Sequence, residues 1–446
     1  MDLNIIINKV DVAESFNPGD TVATAIASGG TAPYVYSLAR GEDKFAIDSS
    51  TGIITVIVAM NINNIDFFNV IATDSTNKTI TSSTTYPPIQ AELQSRFDKS
   101  NVIYEIANDF TLSGGVLIIP EGSTLDFQGG SIVNGTIVLN NTVIMGNTSN
   151  AINTCIVSGS IKGEVILDYL GVSPSNTAEV NYINYNNINL TNQVYKFLKG
   201  TYSFSGKIVP KEIEFKGSGK DTILNFPNSD GLYFPTHTPK LIKRYIGDFT
   251  IKANNNCIDL MADDASGVDG VNYSIFNNIT LESINGNCFY STIRNNYTYA
   301  NKFTNLLLKA PNGSAFNNCA LILTTILDKI DTEGSMKAFF YNCSFKTTQM
   351  SNCNIGWGAN YGYLIYNDAG RGYMSSLLYS IKITNCNFEE SITNAIVNLK
   401  RPDEDDFIAL VIDFINSSFI YNDTLLGKEV YSWSGSNIAK TTITNN

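Results

Sequence analysis

The stretch Ile383-Thr384-Asn385-Cys386-Asn387-Phe388 reads as apolar, any residue, Asn, small or apolar, any residue, apolar. The same phrase stands at Phe316 to Leu321, Met350 to Ile355 and Phe414 to Phe419, with weaker copies centred on Asn256 and Asn287. From Asn256 through Asn287, Asn318, Asn352 and Asn385 to Asn416 the steps are 31, 31, 34, 33 and 31 residues. So steady a period in a non-identical sequence marks a solenoid, each repeat being one supersecondary unit. A second set runs about ten residues ahead of the first, at Phe276 to Leu281, Phe303 to Leu308 around Asn305, and Phe340 to Phe345 around Asn342. Two strands per repeat therefore carry the phrase.

In a strand the first apolar residue and the Asn share a face, because side chains alternate. After the Asn the parity switches, so that the next residue and the closing apolar residue turn inward. Two consecutive inward residues require a bend, and Asn tolerates the left-handed conformation a bend uses. A buried Asn without partners costs about 1–3 kcal/mol. Each Asn is therefore expected to stack on its copy one repeat away, as in the side-chain ladders of in-register strands. The expected fold is a parallel β-helix with an Asn ladder at Asn256, Asn287, Asn318, Asn352, Asn385 and Asn416. The competing reading, Asn-rich loops scattered over an ordinary β-sandwich, does not account for six evenly spaced copies.

Composition narrows the classes. The 446 residues suffice for two or three domains and a large core. Charged residues are 16%, against about 25% in an average soluble domain. With 54 Asn against 29 Lys and Arg, the surface is solvated by amides and hydroxyls more than by ions, as in β-rich extracellular or virion proteins. A net charge of -12 argues against nucleic acid, which needs basic patches. No run of about 18 apolar residues is present to insert in a membrane, and Met1-Asp2-Leu3 lacks the basic start of a signal peptide. The seven cysteines are odd in number, and Cys257, Cys288, Cys319, Cys353 and Cys386 fall at one phase of the repeat. They read as small inward fillers. A metal site needs CxxC pairs or His partners, and His237 is the only histidine, so neither a metal nor another cofactor is expected.

Residues 1–85 alternate short strands with turns at Asn17-Pro18-Gly19-Asp20, Gly29-Gly30, Ser49-Ser50-Thr51-Gly52 and Asp74-Ser75-Thr76-Asn77, which predicts a β-sandwich. Residues 86–110 read as a linker, with Ile89, Leu93 and Phe97 at helical spacing. That short helix either packs on copies of itself in an oligomeric neck or caps the β-helix, which occupies 111–420. Residues 421–446 read as a cap or a tip.

Three stretches carry resemblances. Tyr34 to Leu38, Phe45 to Ile54 and Val70 to Asp74 resemble cadherin-like and immunoglobulin-like modules of bacterial and phage surface proteins. Only Asp74 matches part of the cadherin calcium pattern, so calcium is not expected. Leu117 to Ile137, with Pro120-Glu121-Gly122-Ser123-Thr124-Leu125-Asp126-Phe127-Gln128-Gly129-Gly130, resembles the opening rungs of pectate-lyase-like β-helix proteins of Bacteroidetes and their phages, crAss-like phages included. Lys199-Gly200-Thr201-Tyr202 through Gly217-Ser218-Gly219 resembles the start of phage tailspike helices. The resemblance implies an all-β chain, an N-terminal sandwich followed by a right-handed single-stranded parallel β-helix, in a trimeric virion fibre or spike. Its partners would be other virion proteins at the N-terminal module and host-surface polysaccharide, and its place the virion surface after synthesis in the host cytoplasm.

For chemistry, a lyase of this fold needs calcium-holding carboxylates and a base, and a glycosidase needs two carboxylates at a set separation. Asp263 and Asp264 resemble the paired Asp of polygalacturonases, but the Gly-His-Gly and Arg-x-Lys phrases of that family are absent. The stronger candidate is a glycan-binding loop: Trp357, Tyr361 and Tyr363 among glycines, followed by Asp368, Arg371 and Tyr373. Aromatic faces stack on pyranose rings while amides, carboxylates and guanidinium bond hydroxyls. Three functions stay open: a structural virion appendage, a polysaccharide-cleaving tailspike, and a bacterial surface adhesin.

Overall fold

The computed structural model describes the chain outside residues 1, 10–14, 62–65, 87–89, 147–148, 191–193, 212–213, 236–243, 261–270, 292–297, 323, 346, 357–363, 368–377, 390–396, 401–408, 420–430, 435–440 and 446. Two antiparallel sheets form the N-terminal sandwich. One runs in the order Asn4–Lys9, Thr21–Ser28, Ile53–Val56, Phe45–Ile47, and the other Val35–Arg40, Asp66–Thr73, Thr79–Tyr86. They share one buried core, with Val22, Ala25, Ile54 and Phe45 from the first sheet and Tyr36, Phe68, Val70 and Ala72 from the second. Phe45 and Phe68 meet edge to face at 4.9 Å across it. Val22 and Ala23 are buried in succession because the register of Thr21–Ser28 on Ile53–Val56 shifts between Thr21 and Ala23. Such a bulge breaks the alternation locally.

The helix expected between the two parts spans Gln90–Arg96, and its stripe is buried by the chain's own coil. Leu93 and Phe97 join the same core as Leu117 and Leu125, which favours the capping alternative; Ile89 lies outside the described residues. Gln94 fixes the cap. Its amide donates to Ile118 O at 2.9 Å and accepts from Ile118 N at 2.8 Å.

Parallel pairing starts earlier and runs later than the expected span. Ile103–Ile106 already pairs with Thr124–Phe127, and Thr441–Asn445 still pairs with Ala409–Ile415. The first coils are narrow: Ile103 lies beside Thr124 and Thr124 beside Val143, steps of about 20 residues. From Glu164 a long sheet takes over, with Val194, Glu214, Tyr245, Ile275, Lys302, Ile326, Gln349 and Lys382 in one column. Its main path stacks eleven strands, so at ~4.8 Å per step it extends about 50 Å. A second sheet runs from Leu232–Tyr233 to Tyr431–Ser434 on another side of the coil. Inside, Phe276 lies flat on Phe303 at 5.0 Å and Phe289 on Phe316 at 4.8 Å, and the two stacks meet edge on. No helix among the described residues is long and apolar enough to cross a membrane.

The register corrects the Asn ladder. Asn256, Asn287, Asn318, Asn352, Asn385 and Asn416 do not form one column. Asn278, Asn305, Asn352, Asn385 and Asn416 align with Asp248 and Lys329 at the bend of the long sheet, all with φ between 48° and 62°. Asn318 aligns instead with Asn342, again both left-handed. The left-handed bend is as expected, but the side chain is not inward. Phe276 and Ile279 are buried while Asn278 between them is exposed, and Asn352, Asn385 and Asn416 are exposed likewise. Parity switches through two consecutive outward residues, since a positive φ rolls the Asn side chain off the core.

Asn256 and Asn287 do stack as expected, on a third column. Asn287 N and Nδ2 both donate to Asn256 Oδ1, at 3.0 and 2.8 Å. Asp230 Oδ1 receives Asn256 N at 3.0 Å, and Asn287 Oδ1 receives Ser314 N at 3.0 Å. The cysteines are all buried thiols, as expected of fillers, but they occupy several columns and not one phase.

Candidate functional site

The outer face of the long sheet carries a continuous run of polar side chains, and the left-handed column positions it. Each bend presents two outward side chains per rung, such as Asn277 with Asn278 and Thr304 with Asn305. With rungs ~4.8 Å apart, an amide reaches its neighbour directly. Asn278 Nδ2 donates to Asp248 Oδ1 at 2.8 Å, and Tyr245 donates to Asp248 Oδ2 at 2.8 Å. Asn277 Oδ1 accepts Thr304 Oγ1 at 2.9 Å and Asn305 Nδ2 at 2.8 Å. Farther along, Asp328 Oδ1 accepts Ser351 Oγ at 2.7 Å and Asn352 Nδ2 at 2.8 Å, and Asn385 Nδ2 reaches Asn352 Oδ1 at 3.5 Å. Burial, then the Asp248 carboxylate, pushes the Tyr245 hydroxyl's pKa up, which keeps it a donor.

Ion pairs flank this strip on the same face. Glu164 bridges Lys216 and Lys196, each at 2.9 Å, and Lys216 also meets Glu214 at 3.3 Å. On the other flank the charges alternate rung by rung: Lys252 to Glu282 at 2.9 Å, Glu282 to Lys309 at 3.4 Å, Lys309 to Glu333 at 2.9 Å. Hydrogen bonds from Lys216 and Lys196 hold Glu164 below the ordinary carboxylate range. Burial alone would raise Glu282, but Lys252 and Lys309 outweigh it and hold that carboxyl low as well. Two-carboxylate glycoside hydrolysis needs one carboxyl kept protonated. Glu164 and Glu282 are held in the opposite state.

One acid is pushed the other way. Burial raises Asp168, which takes the Tyr202 hydroxyl at 2.8 Å. It lies inside the coil, beneath the helix Ala178–Asn187, which is docked by amides: Asn181 to Ser173 O at 2.9 Å and Asn184 to Asn153 Oδ1 at 2.8 Å. Lys211 donates to Tyr185 O and Ile188 O at that helix's end. The cluster is a buried clamp.

Asp263 and Asp264, and the loop residues Trp357, Tyr361, Tyr363, Asp368, Arg371 and Tyr373, lie outside the described residues, as does His237. Their strands are described. The long sheet reaches Asn354–Gly356 just before Trp357, and the second sheet carries Ile258–Asp259 just before the Asp pair. Asp74 serves its own turn, accepting Thr76 Oγ1 at 2.7 Å, Thr31 N at 3.0 Å and Lys78 N at 2.9 Å. These bonds, the Thr76 hydroxyl first, hold its pKa down to about 2. The outer polar strip escaped the phrase because Asp248 and Lys329 take bend positions too. The signal shared by every member but Asn416, which Ser417 follows, is apolar residues three apart across the bend, as in Ile246 to Phe249 and Leu327 to Ile330.

No known protein family matches the chain, and no curated protein matches it. Among solved structures, the catalytic domain of a GH87 alpha-1,3-glucanase in complex with tetrasaccharides aligns at 10% identity over 100% of this chain and 89% of that one, with a TM-score of 0.35. The Family 28 exopolygalacturonase of Yersinia enterocolitica aligns at 9% identity over 99% and 98%, with a TM-score of 0.16. Superpositions that loose carry neither a residue nor a reaction across.

Proposed function

We propose that the chain is a structural appendage of a bacteriophage virion: an N-terminal immunoglobulin-like sandwich that attaches to other virion proteins, and a β-helical shaft. The observation that supports it is the fate of the outer polar groups. Asp248, Asp328, Glu164 and Glu282 are spent on rung-to-rung bonds that stiffen a face about 50 Å long. A cleft built for turnover leaves such groups facing substrate; a shaft ties them together. The resemblance of Leu117 to Ile137 to phage β-helix proteins supports the virion setting. Chains associate as homotrimers in this reading, following the closed cyclic symmetry of fibres, and the Trp357 loop meets host-surface polysaccharide.

Solution mass of the full-length protein tests it. The expected value is three times 48.8 kDa, with weaker association once the N-terminal sandwich, residues 1–86, is removed. A monomer at micromolar concentration that shortens bacterial surface polysaccharide would overturn the reading in favour of a depolymerase. Unchanged cell binding by Trp357→Ala would remove the loop from it.

A further inference from the structure

Six of the seven cysteines come as pairs on neighbouring rungs. Cys257 stands beside Cys288, Cys319 beside Cys343, and Cys353 beside Cys386, each pair in register; Cys155 is the exception. Neighbouring in-register residues have Cα atoms ~4.8 Å apart, inside the ~4.4–6.8 Å window of a disulfide. Their Cβ atoms share that spacing, slightly beyond the usual ~3.5–4.5 Å. A bond between them must draw two rungs together, so it is strained and easily reduced.

The pairs are not equivalent. Cys319 and Cys353 directly follow the left-handed Asn318 and Asn352, as Cys343 and Cys386 follow Asn342 and Asn385, so both pairs sit at corners. All four corner thiols are buried in the interior of the coil. Cys343 Sγ also leans to the rung of Cys319, 3.3 Å from Phe316 O. The other corner thiols rest on carbonyls of their own rung, Cys319 at 3.3 Å from Asn317 O, Cys353 at 3.1 Å from Ser351 O and Cys386 at 3.4 Å from Thr384 O, as Cys288 does at 3.8 Å from Leu281 O.

We propose that Cys319 with Cys343, and Cys353 with Cys386, are two cross-rung disulfide sites, open as dithiols in a reducing cytoplasm and closed by a small-molecule disulfide outside it. In each, one thiolate attacks the small disulfide and releases one thiol. The second cysteine then displaces the other half, so that one S–S bond forms and two small thiols carry away the electron pair and the protons. The inference is independent of the appendage reading and would hold for an enzyme of the same fold.

The test is to incubate the full-length protein with oxidised glutathione, natively and in urea below the unfolding midpoint, which opens buried coils. The protein is then alkylated in denaturant and digested without reductant. The expected result is alkylation of three of the seven cysteines, Cys155, Cys257 and Cys288, with linked peptides for the two corner pairs. Cys386→Ser should free Cys353 and leave the Cys319–Cys343 link intact, and Cys319→Ser the converse. Closing the loops should raise the melting temperature by roughly 5 °C, reversed by dithiothreitol. Seven alkylated thiols in both conditions, glutathione adducts without links, or a Cys257–Cys288 link formed first would each overturn the proposal.

Discussion

The first coils and the later ones solve one packing problem with different side chains. Between Ile103 and Val157 a rung takes about 20 residues and encloses a narrow interior, filled mainly by Leu117, Leu125, Ile132, Ile137 and Leu139. From Glu214 onward rungs lengthen, as from Glu214 to Tyr245 and from Tyr245 to Ile275, and the interior fills with Phe215, Phe249, Phe276, Phe303 and Phe316. Cross-section and side-chain volume rise together, since an interior must be filled to crystal-like density. The corners are built from two kinds of residue. In the narrow part, glycines bring one rung's backbone close to the next: a Cβ on Gly159 would lie 2.0 Å from Leu139 O, and one on Gly146 2.3 Å from Phe127 O. Left-handed Asn residues turn the chain in both parts, at Asn134 and Asn141 early and at Asn278 and Asn305 later, but only in the wide part do they stand in one column along the long sheet.

Truncating the ring stack strains this contrast hardest. Phe303→Ala removes a ring from a continuous column and should cost about 3–5 kcal/mol in urea unfolding. Leu125→Ala in the narrow coils should cost less, about 3 kcal/mol. Equal losses would mean that both interiors collapse equally well. Next comes the glycine corner. Gly159→Ala combines a positive φ with the Leu139 clash and should cost roughly 2–3 kcal/mol. Gly163→Ala, with positive φ but open space around it, should cost about 1 kcal/mol. Similar values for both would remove the close approach as the reason for glycine.

Asn352→Ala tests the other kind of corner, with an expected loss of about 1–2 kcal/mol from the left-handed backbone and the Asp328 bond together. Asn352→Gly adopts the left-handed backbone freely and loses only the bond, so its thermal shift should be about half as large. The smallest effect is the Glu164 bridge. Its folded pKa lies below the unfolded value near ~4.3, so its contribution is complete above that pH and is lost as pH falls through the lowered folded value. Glu164 is partly exposed, so roughly 0.5–1 kcal/mol is at stake. Glu164→Gln should match the parent melting temperature at low pH and fall slightly below it at pH 7.

Much of the fold was legible because stacked strands repeat their chemistry. The recurring Asn phrase announced a parallel coil, the turn spacing before Tyr86 announced a sandwich, and Leu93 with Phe97 announced a short helix but left neck and cap equally open. Register was not legible. Asn287 bonding inside a turn and Asn352 exposed at a corner look alike in sequence, and rungs of unequal length let copies from different columns mimic a 31-residue period. Asp248 and Lys329 hold corner positions through backbone geometry that their own residue types do not advertise.

Gln94 has a consequence beyond fastening a helix. Its single side-chain amide offers Ile118 one donor and one acceptor, which is what the peptide group of another strand would offer. A stack of strands can in principle recruit a foreign chain at either terminus, as a crystal grows by adding layers. Here a side chain impersonates the next layer without providing a further edge beyond itself. It acts as a chain terminator on the strand Val116–Ile118 and closes that edge to templated growth. Gln94→Ala is therefore a change whose signature is fibrillar aggregation before loss of fold, visible as thioflavin binding in protein that still melts cooperatively.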